Sequence, residues 1–152
     1  PVIFSHASPL AVTPNPRNHT DEEIKAMAEK GGVFCPTALS FTSFVREGVQ
    51  PSVEDYFTHI DYLVKLVGVD YIGIGSDLDE GRPRDPRTYV TRWATVHIPP
   101  FRGYDLIYMK GLSVLEDLPN IARGLVVRGY SDQEIQKILG GNLLRLIKRV
   151  MG

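Results

Sequence analysis

The sequence predicts an α/β fold, in which short parallel strands alternate with helices. Apolar β-rich runs occur three times, at residues 1–8, 33–35 and 71–76, and a helix pattern follows each of the first two. Three further helix patterns close the chain, after a long stretch without periodicity. Consecutive strands of this kind are joined by right-handed crossovers into one parallel sheet. The order of elements therefore predicts about three βα units plus terminal helices.

The composition is that of an ordinary globular domain and argues against highly charged partners. Of the 152 residues, 43% are hydrophobic and 23% are charged. Seventeen basic residues against eighteen acidic ones give a formal net charge of −1, which does not favour nucleic acid or an anionic membrane surface. No apolar run approaches 18 residues, so no membrane span is expected. A small molecule or another protein is the expected partner.

The first strand runs from Pro1 to Ser8 and contains His6 near its end. Barrels of alternating strands and helices place catalytic and metal-binding groups at the carboxyl ends of their strands. A histidine there can also be a structural residue that bonds to nearby backbone. The sequence from residue 9 to residue 19 is rich in proline and predicts an extended loop.

Three capping boxes mark the starts of helices. A Ser or Thr side chain followed three residues later by an acidic residue satisfies two free backbone amides at a helix start. The pattern occurs at Thr20, Ser52 and Ser131. A helix is also expected from Ser113 to Arg128, with a question of a break at Pro119. The two glycines at 140–141 are expected to separate the third capped helix from a last helix at residues 142–151.

The second and third strands complete the predicted sheet. Residues 33–35 form a short strand with a buried thiol at Cys35, which we expect to be inert. The third strand, residues 71–76, runs directly into Asp77, Leu78 and Asp79. The stretch from residue 78 to about residue 111 predicts a long loop, which in a compact domain often covers a site. We expect His97, in that loop, and His19 to lie at the surface.

Three strands are too few to close a barrel, which needs eight strands and about 250 residues. The chain also begins on a strand without Met, which suggests a fragment or a processed product. As an independent unit it could form a small open sheet with helices on its faces.

The candidate chemistry lies at the predicted strand ends. His6, Asp77 and Asp79 fall on one edge of a parallel sheet, where a histidine and carboxylates suit a metal site or an acid–base pair. A second H-x-D pattern, His59 to Asp61, lies within a helix, where residues two apart diverge by about 200°. We expect this pair to form a partly exposed helix face. The pattern Gly73-Ile74-Gly75 lacks a third glycine and a following helix, so it is not a dinucleotide-binding motif.

Five segments in register resemble the C-terminal part of the membrane (renal) dipeptidase family. They cover nearly the whole chain and read PVIFSH at residues 1–6, NPRN at 15–18, HIDY at 59–62, GIGSDLD at 73–79, and RGYS at 128–131 leading to ILGGNLLR at 138–145. The resemblance implies one domain over residues 1–152, the C-terminal portion of a (β/α)8 TIM-type barrel whose N-terminal half is not present in this chain.

The resemblance also implies an activity and roles for three residues. The family hydrolyses dipeptides at a two-zinc centre, which activates water for attack on the scissile carbonyl. By this resemblance His6 is a zinc ligand, Arg17 binds the substrate carboxylate with its planar fork, and Asp77 takes part in proton transfer. From the residues alone, Arg17 could instead cap a turn and Asp77 could accept backbone hydrogen bonds.

Departures from the family pattern limit what this chain can do alone. The family's remaining metal ligands come from strands that precede this sequence, so we expect the isolated chain to be inactive. Its partners would be a dipeptide and the missing barrel half or a complementary chain, and a homodimer is left open. Residues 36–38 also differ from the usual end of the second strand. The alternative is a non-catalytic module, derived from a degenerate barrel, that binds peptides or serves in assembly.

Overall fold

The computed structural model describes residues 1–79 and 107–152, and it has an α/β architecture over them. Strands β1 (Ile3–Ala7) and β2 (Val33–Pro36) pair in parallel, as predicted. The third predicted strand runs along the far edge of β2 but is less regular than expected. Its regular pairing is one parallel bridge between Phe34 and Ile72, and Gly73 N donates to Phe34 O at 2.9 Å. The rest of residues 73–76 is irregular.

The helices begin where the capping boxes predict. The helices are α1 (Asp21–Glu29), α2 (Val53–Val67), α3 (Pro119–Val127), α4 (Asp132–Gln136) and α5 (Asn142–Met151). Thr20, Ser52 and Ser131 each accept a hydrogen bond from the first turn of the helix that follows, which confirms the three capped starts. Short 3₁₀ turns occupy Val69–Tyr71 and Leu115–Asp117.

The structure contains both breaks that the sequence suggested in the C-terminal helices. The stretch predicted as one helix from Ser113 is divided into the 3₁₀ turn and α3, because Pro119 occupies the first turn of α3, where a missing amide costs no hydrogen bond. The glycines at 140–141 separate the last two helices, as predicted. Gly140 has a non-helical backbone (φ 160°, ψ −19°), and the chain kinks there within the turn Lys137–Gly141 between α4 and α5.

The core lies between the sheet and the helices. Phe34 faces α1 and α2 and is fully buried with Ile24, Met27, Tyr56, Phe57, Ile60 and Leu63. On the opposite face of β2, Val33 and Cys35 pack against Leu146 of α5. Cys35 is 1% exposed, and its burial was predicted. Both faces of β2 are therefore covered, as is typical of parallel strands.

The sequence predicts that His59 and Asp61 form a partly exposed helix face. For His59 this prediction is wrong. Its side chain is fully buried, whereas Asp61 is half-buried and bonds to Arg128 and Tyr130. His59 lies three residues after Tyr56 and four before Leu63, and this spacing places all three on the core side of α2. The expected divergence from Asp61 is correct, but it is His59 that faces inward.

The expected surface positions of His97 and His19 have different outcomes. His97 and most of the predicted loop at residues 78–111 lie outside the described residues, whereas His19 is half-buried beside Phe4. In residues 1–79 and 107–152, no helix combines the length and apolar character needed to cross a membrane.

Candidate functional site

A bulge in β1 sets the direction of His6. The pairs Phe4–Phe34 and Ala7–Pro36 are three residues apart on β1 but two apart on β2. Phe4 and Ala7 both pack on the helix side of the sheet, so the extra residue falls at Ser5 and His6. Bulges of this kind redirect side chains and are frequent next to active sites.

The bulge brings two adjacent side chains to the same side of the strand. Ser5 Oγ and His6 Nδ1 are 2.8 Å apart and form a hydrogen bond. Neighbouring side chains of a regular strand point to opposite faces and could not meet in this way. The His6 ring is exposed, and among the described residues Nε2 makes no hydrogen bond. His6 therefore has one ring nitrogen held by Ser5 and the other available.

Arg17 lies on the loop that follows β1. Its backbone amide donates to Asn15 Oδ1 at 3.0 Å, so the chain turns tightly just before the arginine. The guanidinium carbon lies 6.0 Å from the centre of the Phe41 ring, at the outer limit of a cation–π contact. The side chain is exposed. The loop thus presents a fixed positive charge to solvent.

Asp77 has a strained backbone at the end of the third segment. Its φ angle is +58°, and among the described residues it alone is a non-glycine residue with positive φ. Such a conformation is costly for residues with a Cβ atom, and it tends to cluster at functional sites where surrounding structure enforces it. Asp77 is half-buried.

Two consecutive amides after β2 bring the ends of the flanking segments together. Thr37 N donates to Ala7 O and Ala38 N donates to Ser76 O, each at 3.0 Å. His6 immediately precedes the first acceptor, and Asp77 immediately follows the second. The expectation from sequence that both residues share the carboxyl edge of the sheet therefore agrees with this backbone geometry.

Glycine is required at position 75 because the third segment passes very close to the strands. A Cβ atom on Gly75 would lie 2.0 Å from Ser5 O and 2.6 Å from the Cβ of Cys35. Any side chain at this position would therefore push residues 75–77 away from β1. The glycine pattern that does not fit a dinucleotide motif has a packing role here.

The described residues do not by themselves form a metal site. Within them, no three His, Cys, Asp or Glu side chains come close enough to hold a metal ion. Protein zinc sites have at least three such ligands, so His6 alone does not fit a complete centre. Any metal centre would need ligands from outside residues 1–79 and 107–152.

Several residues around the site were missed by the sequence analysis. Asn15 and Asn18 flank Arg17 and are buried, as are Ser43, within the loop after β2, and His59, which contacts that loop from α2. The signal for the asparagines was their position on either side of an exposed arginine in a proline-rich loop. Their acceptors are 24 to 26 residues away in sequence, so no local pattern reveals the contacts.

Comparison with known proteins gives a consistent family. A sequence model described as membrane dipeptidase (peptidase family M19) matches residues 1–89. The chain is 33% identical to dipeptidase ataJ of Aspergillus terreus, over 99% of this chain and 31% of that protein. It is 29% identical to dipeptidase verJ of Clonostachys rogersoniana, over 99% of this chain and 32% of that protein. The chain thus spans about a third of the length of these relatives.

Solved structures show the same fold. An amidohydrolase from Pseudomonas aeruginosa superposes with a TM-score of 0.80 at 28% identity, over 97% of this chain and 45% of that one. A metallopeptidase from Rhodobacter sphaeroides, solved with a phosphinate mimic of the dipeptide L-Ala-D-Ala, gives a TM-score of 0.73 at 22% identity, over 98% and 36%. The sequence and structural matches agree with the five segments in register, and the chain belongs to the membrane dipeptidase family, matching its C-terminal part.

Proposed function

We propose that this chain supplies the C-terminal half of the active site of a zinc-dependent dipeptidase with a two-zinc centre. In this proposal residues 1–152 form one partial domain of a (β/α)8 barrel, and the N-terminal half comes from preceding sequence or from a separate chain. The isolated chain is then inactive. The observation that supports this best is the shared edge of the sheet, where consecutive amides of Thr37 and Ala38 bind the chain beside His6 and Asp77.

His6 is the proposed metal ligand. With its Nδ1 protonated and donating to Ser5 Oγ, the lone pair of Nε2 faces outward for a metal ion. Zinc in such a centre polarises a carbonyl and lowers the pKa of bound water to about 7. Two zinc ions need more ligands than residues 1–79 and 107–152 provide, and in this proposal the others come from the N-terminal half.

Arg17 is the proposed site for the substrate carboxylate. A guanidinium group binds a carboxylate through two parallel hydrogen bonds, which fixes both position and orientation. A free carboxylate held at a fixed distance from the scissile carbonyl allows one residue on the leaving side of the bond, and the proposed contact of Asp77 with the substrate amine allows one residue on the other side. This arrangement explains why a dipeptide, rather than a longer peptide, would be the substrate.

Asp77 is the proposed acid–base group. A carboxylate at the end of the third segment faces the substrate amine and moves a proton to the leaving nitrogen. Its strained backbone supports a functional role, because the hydrogen bond from Ala38 N to Ser76 O holds the adjacent residue in place.

Reconstitution of the barrel tests the proposal. The complete barrel, with the N-terminal half joined to or mixed with this chain, should hydrolyse simple dipeptides, whereas the chain alone should not. In the complete barrel, His6→Ala should weaken the binding of one metal ion, measured by competition with a chelator. Failure to cleave any member of a broad dipeptide panel, with metal bound, would exclude the enzymatic function and favour a non-catalytic binding module.

A further inference from the structure

The Arg17 loop (residues 9–18) is attached to the β2 loop (residues 37–44) by buried amide side chains. Asn18 is 9% exposed and donates from Nδ2 to Thr42 O at 2.8 Å, across the two loops. The same nitrogen donates to Thr13 O at 2.9 Å, within its own loop. One side chain thus closes the Arg17 loop and fixes it to its neighbour.

Asn15 makes a second connection, and this one ends at Arg17 itself. It is 8% exposed and donates from Nδ2 to Phe41 O at 3.0 Å. Its Oδ1 accepts the backbone N–H of Arg17 at 3.0 Å. The ring of Phe41 lies beneath the guanidinium group. Phe41 therefore meets the arginine at two points: its carbonyl fixes the backbone of Arg17 through Asn15, and its ring lies 6.0 Å from the guanidinium carbon.

The β2 loop is in turn fixed from below. Ser43 Oγ lies 2.6 Å from Ser8 Oγ and donates to Thr37 O at 3.1 Å. His59 Nε2 donates to Ser43 O at 2.9 Å from helix α2. The acceptors used by Asn15 and Asn18 are thus part of a rigid, buried platform rather than of a loose loop.

We propose that Asn15 and Asn18 are positioning residues that hold Arg17 for a substrate carboxylate and so set the preference for a free carboxylate over an amide. The inference rests on the proposed function of Arg17. An exposed arginine has many rotamers, and its charge is useful for recognition when the backbone beneath it is fixed. Loss of either amide frees the loop without removing the charge.

The test compares two substrates in the complete barrel. One is a dipeptide with a free carboxylate, and the other is the same dipeptide with a C-terminal amide. Asn15→Ala and Asn18→Ala should each raise KM for the free acid by between about 10-fold and 100-fold, the cost of small misplacements of binding groups. For the amide, kcat/KM should change by less than about twofold, because this substrate makes no ion pair with Arg17.

Asn142→Ala is the matched control. Asn142 is 3% exposed and, like Asn18, donates from one amide to two backbone carbonyls, Val69 O at 2.7 Å and Ile72 O at 2.8 Å. It lies at the start of α5, away from the Arg17 loop. Its loss should lower the melting temperature as Asn18→Ala does, while the preference for the free acid is kept.

The outcomes separate the inference from the proposed function. If Arg17→Ala removes the preference and the Asn15 and Asn18 variants keep it, the positioning role is wrong and the proposed role of Arg17 stands. If Arg17→Ala keeps the preference, both are wrong. If the wild-type barrel cleaves neither substrate, calorimetric binding of the free acid and the amide makes the same comparison. Loss of the preference in Asn142→Ala would also overturn the inference.

Discussion

The imidazole of His59 donates from Nε2 to the backbone carbonyl of Ser43 at 2.9 Å, while its buried Nδ1 has no hydrogen-bond partner. A carbonyl accepts and cannot donate, so the neutral ring carries its proton on Nε2. Protonation would place a second N–H in a buried position without an acceptor. Burial accordingly lowers the pKa of His59 from 6.5 to about 4.

We therefore expect stability to fall in mild acid. Because the folded pKa is the lower one, the unfolded chain takes up the proton first, so stability is complete above about pH 6.5 and declines as the pH falls toward 4. The decline attributable to His59 is about 3 kcal/mol. Urea unfolding of the wild type and His59→Gln at several pH values measures it. The glutamine keeps a donor near Ser43 and cannot titrate, and a parallel decline in both proteins would contradict the prediction.

Gly75→Ala should damage both stability and activity. Its new Cβ atom would overlap Ser5 O, a backbone atom that cannot move without shifting β1. We expect a loss of about 2 kcal/mol or more in the free energy of unfolding, and a lower kcat in the complete barrel because Asp77 is displaced.

Gly124→Ala provides the comparison for this glycine. A Cβ atom on Gly124 would lie 1.9 Å from Cζ of Phe57, between α2 and α3 and away from the strand ends. It should destabilise the fold by a similar mechanism. At temperatures where both variants are folded, Gly124→Ala should keep the kcat of the wild type and Gly75→Ala should have a lower kcat. Equal losses of kcat in the two variants would contradict a local effect of Gly75 on the site.

Arg128→Ala should weaken the contact between α2 and the turn after α3. Arg128 binds Asp61 at 2.6 Å and Glu54 at 2.8 Å, and its guanidinium lies 4.9 Å from the Phe57 ring. We expect a loss of about 1–2 kcal/mol in urea unfolding, reduced at high salt. Lys137→Ala removes the exposed ion pair with Asp70 and should cost less than about 0.5 kcal/mol. Equal losses of unfolding free energy in the Arg128 and Lys137 variants would show that the contacts of Arg128 stabilise the fold no more than one exposed ion pair.

Cys35 should be unreactive in the folded protein. Burial raises the pKa of its thiol to about 12, and the thiolate is the reactive form. A disulfide reagent at pH 8 should modify Cys35 only after denaturant is added, as located by mass spectrometry. Rapid modification under native conditions would show that β2 is not covered by α5.

The sequence predicts those features of the fold that arise from local chemistry. Thr20, Ser52 and Ser131 start helices because each capping box is complete within four residues. The H-x-D pattern of His59 and Asp61 draws attention to a shared function and away from packing, whereas the spacing of His59 from Tyr56 and Leu63 correctly indicates the core. The third strand is less regular than its apolar sequence predicts, because Gly73 and Gly75 let the backbone pass very close to β1 and β2 instead of forming a regular hydrogen-bond ladder.

The location of the candidate site residues can be predicted from the sequence, whereas the contacts that hold the surrounding loops cannot. His6 and Asp77 follow from the ends of apolar runs, and Arg17 follows from the family resemblance. The amide contacts of Asn15 and Asn18 join residues far apart in sequence, and the bulge in β1 becomes visible only when β1 is paired with β2. Such features depend on tertiary geometry, which no local pattern encodes.

The bulge has a consequence for anyone who would transplant or redesign this site. Side chains of a strand alternate, so one extra residue inverts the inside–outside parity of everything that follows it. Deleting Ser5 would leave Phe4 in the core and keep the sequence recognisable, yet it would remove the partner that fixes the His6 ring. A copy of the site grafted onto a regular strand would need the same bulge, because the extra residue between Phe4 and Ala7 sets the direction of the His6 side chain.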